Sequence, residues 1–99
     1  MDELTNEFHL FLIRLGQDPS SVSHNIEHYT KHLLQLLPHE DEEILKQYYG
    51  LFGQQVRMLD DIAERLGISA DMLQNIINAD LRKLAITPEW QMMKQLIKQ

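Results

Sequence analysis

Residues 59–78 read LDDIAERLGISADMLQNIIN, and this stretch decides the fold. Two short helices that cross near a right angle need a small residue where they approach each other, and Ala63 supplies it. The sharp turn between them needs a positive φ, which Gly67 adopts without steric cost. Ser69 is placed to cap the second helix, and Asp71 lies in its first turn. The stretch therefore predicts a helix-turn-helix.

Apolar residues at fixed spacing in the same stretch indicate the side of both helices that packs on a core. We expect this buried side to consist of Ile62, Leu66, Ile68, Leu73 and Ile76. In DNA-binding proteins of this kind the second helix lies in the major groove.

The remainder of the chain is also predicted to be helical, because its apolar residues recur every three or four positions and no alternating strand is present. Further helices are expected over about residues 4–16, 22–37, 40–50 and 87–97. Gly16 is expected to end the first of them and Gly50 to form a left-handed cap, while Thr87 caps the last helix ahead of Pro88. We predict an all-α fold, a small helical bundle of five to six helices containing a helix-turn-helix.

The first predicted helix has a broad apolar face. Leu4, Phe8, Phe11 and Leu15 repeat along one side of it. Such a face is buried or meets a partner. We expect it to support either a homodimer or a cap on the bundle.

The composition excludes several classes of protein. The chain has 99 residues, 43% hydrophobic and 24% charged, which is typical of one globular domain. It contains no Cys, so it has no disulfide, thiolate nucleophile or Cys-based metal centre. No apolar run approaches the roughly 20 residues of a membrane span, and the start lacks a signal peptide. We therefore expect a cytoplasmic protein without a membrane partner.

The excess negative charge lies in one half of the chain. The formal net charge is −6, from 15 acidic and 9 basic residues. Residues 1–49 hold nine of the acids and only three of the bases, whereas residues 50–99 are balanced. An acidic surface repels phosphate, so any nucleic-acid contact should come from the C-terminal half.

Two segments carry a resemblance to a known family. Residues 37–51, from Leu37-Pro38 through the acidic start to Gly50-Leu51, look like the first segment of the fourth conserved region of bacterial RNA polymerase sigma factors. Residues 59–84, with the closing Leu-Arg-Lys-Leu, resemble its second segment. The resemblance implies a helix-turn-helix domain over residues 37–99, whose recognition helix enters promoter DNA and whose apolar surface holds the polymerase flap. Residues 1–36 do not look like other sigma regions and are expected to form a two-helix N-terminal extension, available to a dimer or a partner.

The expected DNA-binding residues lie on the outward side of the second helix of the motif. They are Ser69, Gln74, Asn75, Asn78, Arg82 and Lys83. Asn and Gln can pair bidentately with adenine. Only the last two of the six are basic, and Asp71 and Asp80 offset their charge, so we expect DNA binding to be weak or assisted by another protein. The alternative is a solvated polar face without DNA.

Three apolar residues are candidates for partner binding. Leu81 and Leu84 match the sigma positions that help to hold the polymerase flap, with plain bundle core as the alternative. Phe52 lies in a loop between two glycines and is a candidate for exposure. The partners we expect are DNA, RNA polymerase or another transcription protein, and a possible homodimer.

The chain carries no convincing signature of a metal site or of catalysis. His24, His28 and His32 recur every four residues on one side of a helix, where neighbours could bind zinc. No supporting carboxylate is evident, so we predict no metal and no cofactor. The acidic residues 40–43 are expected to start a helix and to point apart. With no phosphate loop, nucleophile motif or acid–base pair, we do not expect an enzyme.

These patterns favour a sigma-factor-like helix-turn-helix protein that acts in transcription regulation, binding DNA through the recognition helix, contacting RNA polymerase, or both. The alternative is a protein-interaction module, a sigma-like decoy or adaptor that has lost DNA binding.

Overall fold

The computed structural model describes residues 1–97, and within that range the chain is helical and has no strand. The all-α prediction is confirmed, with six α-helices in the described part of the chain. They are α1 Glu3–Gln17, α2 His24–Leu34, α3 His39–Tyr49, α4 Leu59–Leu66, α5 Ala70–Ala85 and α6 Pro88–Ile97. A short 3-10 helix, Pro19–Ser21, links the first two. None of the described helices combines the length and the apolar character that crossing a membrane requires.

Local sequence signals set most helix ends. Gly50 ends α3 in the left-handed conformation, with φ 68°, as predicted. The Thr87 hydroxyl accepts a hydrogen bond of 3.2 Å from the Trp90 N–H and so caps α6. The second helix is shorter than predicted. After Leu34 the Leu37 N–H bonds three residues back to the Leu34 carbonyl, which tightens the chain into a turn before Pro38.

The apolar face of α1 is buried inside the chain. Phe8 and Phe11 pack on Trp90 of α6, with ring centroids 4.9 and 5.3 Å apart. Leu15 is also buried, whereas Leu4 is half-buried. We expected this face to support either a homodimer or a cap on the bundle, and in the structure it caps the bundle. These side chains are therefore not a surface for a second copy.

The remaining helices complete a single hydrophobic core. α1 also lies along α5, α2 lies against α6, and α3 contacts α1, α4 and α5. The core draws on helices from both sides of residue 36. α5 is the central element, and only its outer side faces solvent.

Gly16 has a different role from the one predicted. It lies within α1, which ends one residue later at Gln17. A Cβ at Gly16 would stand 1.9 Å from the carbonyl oxygen of Tyr49, so only glycine allows α1 to approach α3 this closely. The glycine therefore serves packing between two helices, not helix termination.

Candidate nucleic-acid interface

α4 and α5 are joined by the turn that the sequence predicts. Gly67 is left-handed, with φ 73°, and its N–H donates to the Glu64 carbonyl. The Ile68 N–H donates to the Ala63 carbonyl at 3.1 Å, which satisfies a second carbonyl at the end of α4. The Ser69 hydroxyl accepts a hydrogen bond of 3.0 Å from the Met72 N–H and starts α5. Both local predictions, the left-handed glycine and the serine cap, are confirmed.

The buried side of this helix pair differs in part from the prediction. Ile62, Ala63 and Leu73 are buried as expected. Leu66 is 47% exposed, and the buried isoleucine of α5 is Ile77 and not its neighbour. Positions three and four residues after Leu73 both fit helical periodicity. The choice between them depends on how the neighbouring helices pack around α5, which the local sequence does not specify. Ile68 and Ile76 are half-buried.

The predicted DNA-binding residues are spread over the outward side of α5. Asn75, Asn78, Arg82 and Lys83 are exposed, and Gln74 is half-buried. The Gln74 side-chain amide donates to the Asn78 side-chain carbonyl at 3.0 Å. Gln74 and Asn78 therefore stand one turn apart on the same stripe. Ser69 lies at the start of the stripe, with its hydroxyl engaged in the cap.

Arg82 is held by an ion pair that sequence analysis missed. Its guanidinium Nη1 donates to the carboxylate of Asp2, just before α1. The same carboxylate caps α1 by accepting from the Thr5 N–H at 2.7 Å. The hydrogen bonds from Thr5, and secondarily the charge of Arg82, hold the pKa of Asp2 below its ordinary value. Because the two partners lie 80 positions apart, no local pattern could have revealed the pair.

Asp80 does not lie on the surface with Arg82 and Lys83, so the predicted charge offset needs a correction. It is only 6% exposed, and its Oδ2 has no hydrogen-bond partner. Burial, and then the hydrogen bond and charge of Asp41 on α3, raise the pKa of Asp80 to about 7. A carboxyl with this pKa is partly protonated near neutral pH. Asp80 therefore offsets less of the positive charge of α5 than the sequence count implies.

The predicted partner-binding residues are mostly inaccessible. Leu81 and Leu84 are 0% and 1% exposed, so they belong to the core and present no surface to a polymerase flap. The prediction that these two leucines bind a partner therefore needs a correction. Both are buried because other helices cover that side of α5. Phe52 is half-buried against the core, with the Lys31 ammonium 5.2 Å from its ring centroid. Only part of the Phe52 ring is therefore available to a partner.

An apolar groove lies where α2 and α6 meet, away from α5. Its volume is about 680 Å³. The exposed apolar side chains that line it are Tyr29, Leu36, Met92 and Leu96. No local sequence pattern indicates the groove, because its two walls lie about sixty residues apart in the chain.

The acidic start of α3 is organised around a lysine. The expectation that these acids point apart is wrong for Glu42 and Glu43, since the Lys46 ammonium lies 3.6 Å from a carboxylate oxygen of each. With His39 they form a group whose ligand atoms lie within 4.8 Å of one another. Lys46 already supplies a cation at this place, so the cluster is electrostatically satisfied within the chain.

Comparison of the chain with protein-family models, with curated proteins and with solved structures finds no match. The described residues form a helical bundle that presents a polar face on α5 and an apolar groove between α2 and α6.

Proposed function

We propose that this chain acts in transcription as a sigma-like helix-turn-helix protein, with α5 as the helix that meets DNA. The observation that carries the proposal is the exposed polar stripe of α5, which begins after the left-handed turn at Gly67 and includes Asn75 and Asn78. The N-terminal part of a recognition helix makes the base contacts. Side-chain amides at such positions can donate to and accept from adenine in the major groove.

The charges near α5 imply weak binding by the chain alone. Lys83 is exposed, whereas the charge of Arg82 is already paired with the carboxylate of Asp2. About two to four phosphate contacts give a shallow salt dependence and modest affinity. A partner that binds both this chain and DNA would raise the effective concentration of α5 at its site. We therefore place the protein in a complex, with RNA polymerase as the expected partner.

The direct test is a fluorescence anisotropy titration of promoter-like DNA fragments at low salt, with and without RNA polymerase. Asp2→Asn is the informative variant, because asparagine also caps helices and so keeps α1 while releasing Arg82. We expect it to strengthen DNA binding and to steepen the salt dependence. Arg82→Ala with Lys83→Ala should weaken binding to all sequences, whereas Asn75→Ala with Asn78→Ala should reduce discrimination between sequences. Absence of parent binding under both conditions would rule out the DNA proposal.

The second candidate is a protein-interaction module that binds RNA polymerase and never touches DNA. The apolar groove between α2 and α6 favours it, as does the capture of Arg82 within the chain. Met92→Lys places a charge in the groove at a side chain that is 72% exposed, so the fold tolerates it. Met58→Lys is the matched control, at 71% exposure and outside the groove. If this function holds, only the groove variant loses polymerase in a pull-down, and the Arg82 and Lys83 variant retains it.

A further inference from the structure

Two histidines stand side by side on the exposed face of α2. His28 and His32 are one helical turn apart, and their Nε2 atoms are 3.2 Å apart. The ring centroids are separated by 4.6 Å, with the planes nearly perpendicular. Both side chains are exposed, so water and ions reach them freely.

The separation of the two nitrogens matches that of two ligands on one metal ion. At a metal–nitrogen distance of about 2.05 Å, two imidazole nitrogens stand about 3.3 Å apart in tetrahedral geometry. They stand about 2.9 Å apart when the ligands are at a right angle. The observed 3.2 Å lies between these values, so the helix backbone needs no large adjustment.

We propose that His28 and His32 form a binding site for one divalent transition-metal ion, of the class that includes Zn²⁺, Ni²⁺ and Cu²⁺. Imidazole suits these ions, whereas Mg²⁺ and Ca²⁺ prefer oxygen ligands. Within residues 1–97, the group of three or more metal-ligating side chains is the one around His39, which does not include this pair. Water therefore completes the coordination sphere.

Binding requires a tautomer change and a rotation of the imidazole rings in the protein. Without an ion, one Nε2–H donates to the other Nε2 across the 3.2 Å contact. A metal ion bound by both Nε2 atoms lies to one side of the line that joins them, and the donor ring carries its proton on Nδ1 instead. Both imidazoles then offer an Nε2 lone pair to the ion.

The bound ion would act as a clamp across one turn of α2. An ion that binds only the folded state stabilises that state by mass action. His32 also lines the groove between α2 and α6, so the ion adds positive charge at the edge of an apolar surface in the acidic half of the chain.

The test is calorimetric titration of the full chain with ZnCl₂ in a buffer that does not bind metal, joined to long-range ¹H–¹⁵N spectra of the imidazoles. We expect one ion per chain and a joint shift of the Nε2 signals of His28 and His32. His28→Gln or His32→Gln should weaken binding by about tenfold or more, because the second imidazole binds intramolecularly. The melting temperature should rise with zinc in the parent and not in these variants.

Two matched controls separate this site from its neighbours. His24→Gln alters an exposed histidine one turn away on α2, and His39→Gln removes the imidazole of the cluster beside Lys46. Both should bind zinc as the parent does. The proposal is overturned if the parent fails to bind zinc, if His28→Gln and His32→Gln retain full affinity, or if His39→Gln alone abolishes binding.

Discussion

Replacing Asp80 with asparagine should remove a pH-dependent penalty from the fold. Burial raises the pKa of Asp80 from 3.8 to about 7, with a further contribution from the hydrogen bond and charge of Asp41. Between these two pKa values, the folded protein keeps a proton that the unfolded chain releases. Asp80 should therefore make the parent less stable as the pH rises from about 4 to 7. Above about pH 7 this loss of stability is complete, and the free energy of unfolding receives no further change from Asp80.

The magnitude follows from the size of the pKa shift. At 1.36 kcal/mol per unit, a change from 3.8 to about 7 sets an upper limit of about 4 kcal/mol. The effective dielectric constant of real protein interiors is higher than that of a dry interior, which reduces this limit, so we expect about 1–3 kcal/mol. Asparagine keeps the shape of the side chain and cannot ionise. Its amide can also donate to Asp41, so Asp80→Asn should be more stable than the parent by this amount at about pH 8.

Urea unfolding followed by far-UV circular dichroism measures this difference directly. Titrations of both proteins at about pH 4.5, 6 and 8 give the free energy of unfolding at each pH. The difference should be small at the lowest pH and should grow to its full value at the highest. Asp71→Asn, on the exposed side of the same helix, is the control and should show no such growth. A variant that is less stable than the parent at pH 8, or a difference that is constant with pH, would refute the reasoning.

Two further predictions concern the backbone and the cap of α5. Gly16→Ala should destabilise the fold by at least about 3 kcal/mol, because the added Cβ would stand 1.9 Å from the Tyr49 carbonyl oxygen. A Cβ at residue 67 meets open space, so Gly67→Ala should cost only about 1 kcal/mol, from the strain of a left-handed alanine. Thermal unfolding of both variants checks this, and equal losses would contradict the packing argument. Ser69→Ala removes the acceptor for the Met72 N–H and should cost about 1 kcal/mol, measured by urea unfolding, while Ser69→Asp should restore the parent value.

The structure also changes the electrostatic description of α5. By sequence, the two bases of this helix are cancelled by two acids of the same helix. In the fold, Asp80 turns inward to Asp41, and Arg82 is paired with a distant Asp2. The two effects offset each other, because burial withdraws Asp80 from the exposed face of α5 whereas Asp2 brings another carboxylate to it beside Arg82. A count of charged residues misses both effects, because each depends on a contact between helices.

What the sequence alone determined is local. The left-handed glycines at 50 and 67 and the caps at Ser69 and Thr87 agree with the structure, because each depends on φ and hydrogen bonds within about four residues. The all-helical class follows in the same way, since apolar periodicity reports secondary structure before any packing.

Only the tertiary structure decided which surfaces remain free. Helical spacing allows Ile76 or Ile77 to be buried, and the packing of the other helices around α5 selects the second. The close approach at Gly16, the apolar groove and the ion pair of Arg82 all join segments that are distant in the chain. The physical reason is that many ways of docking six amphipathic helices satisfy the same periodicity, and they differ only in which side chains meet.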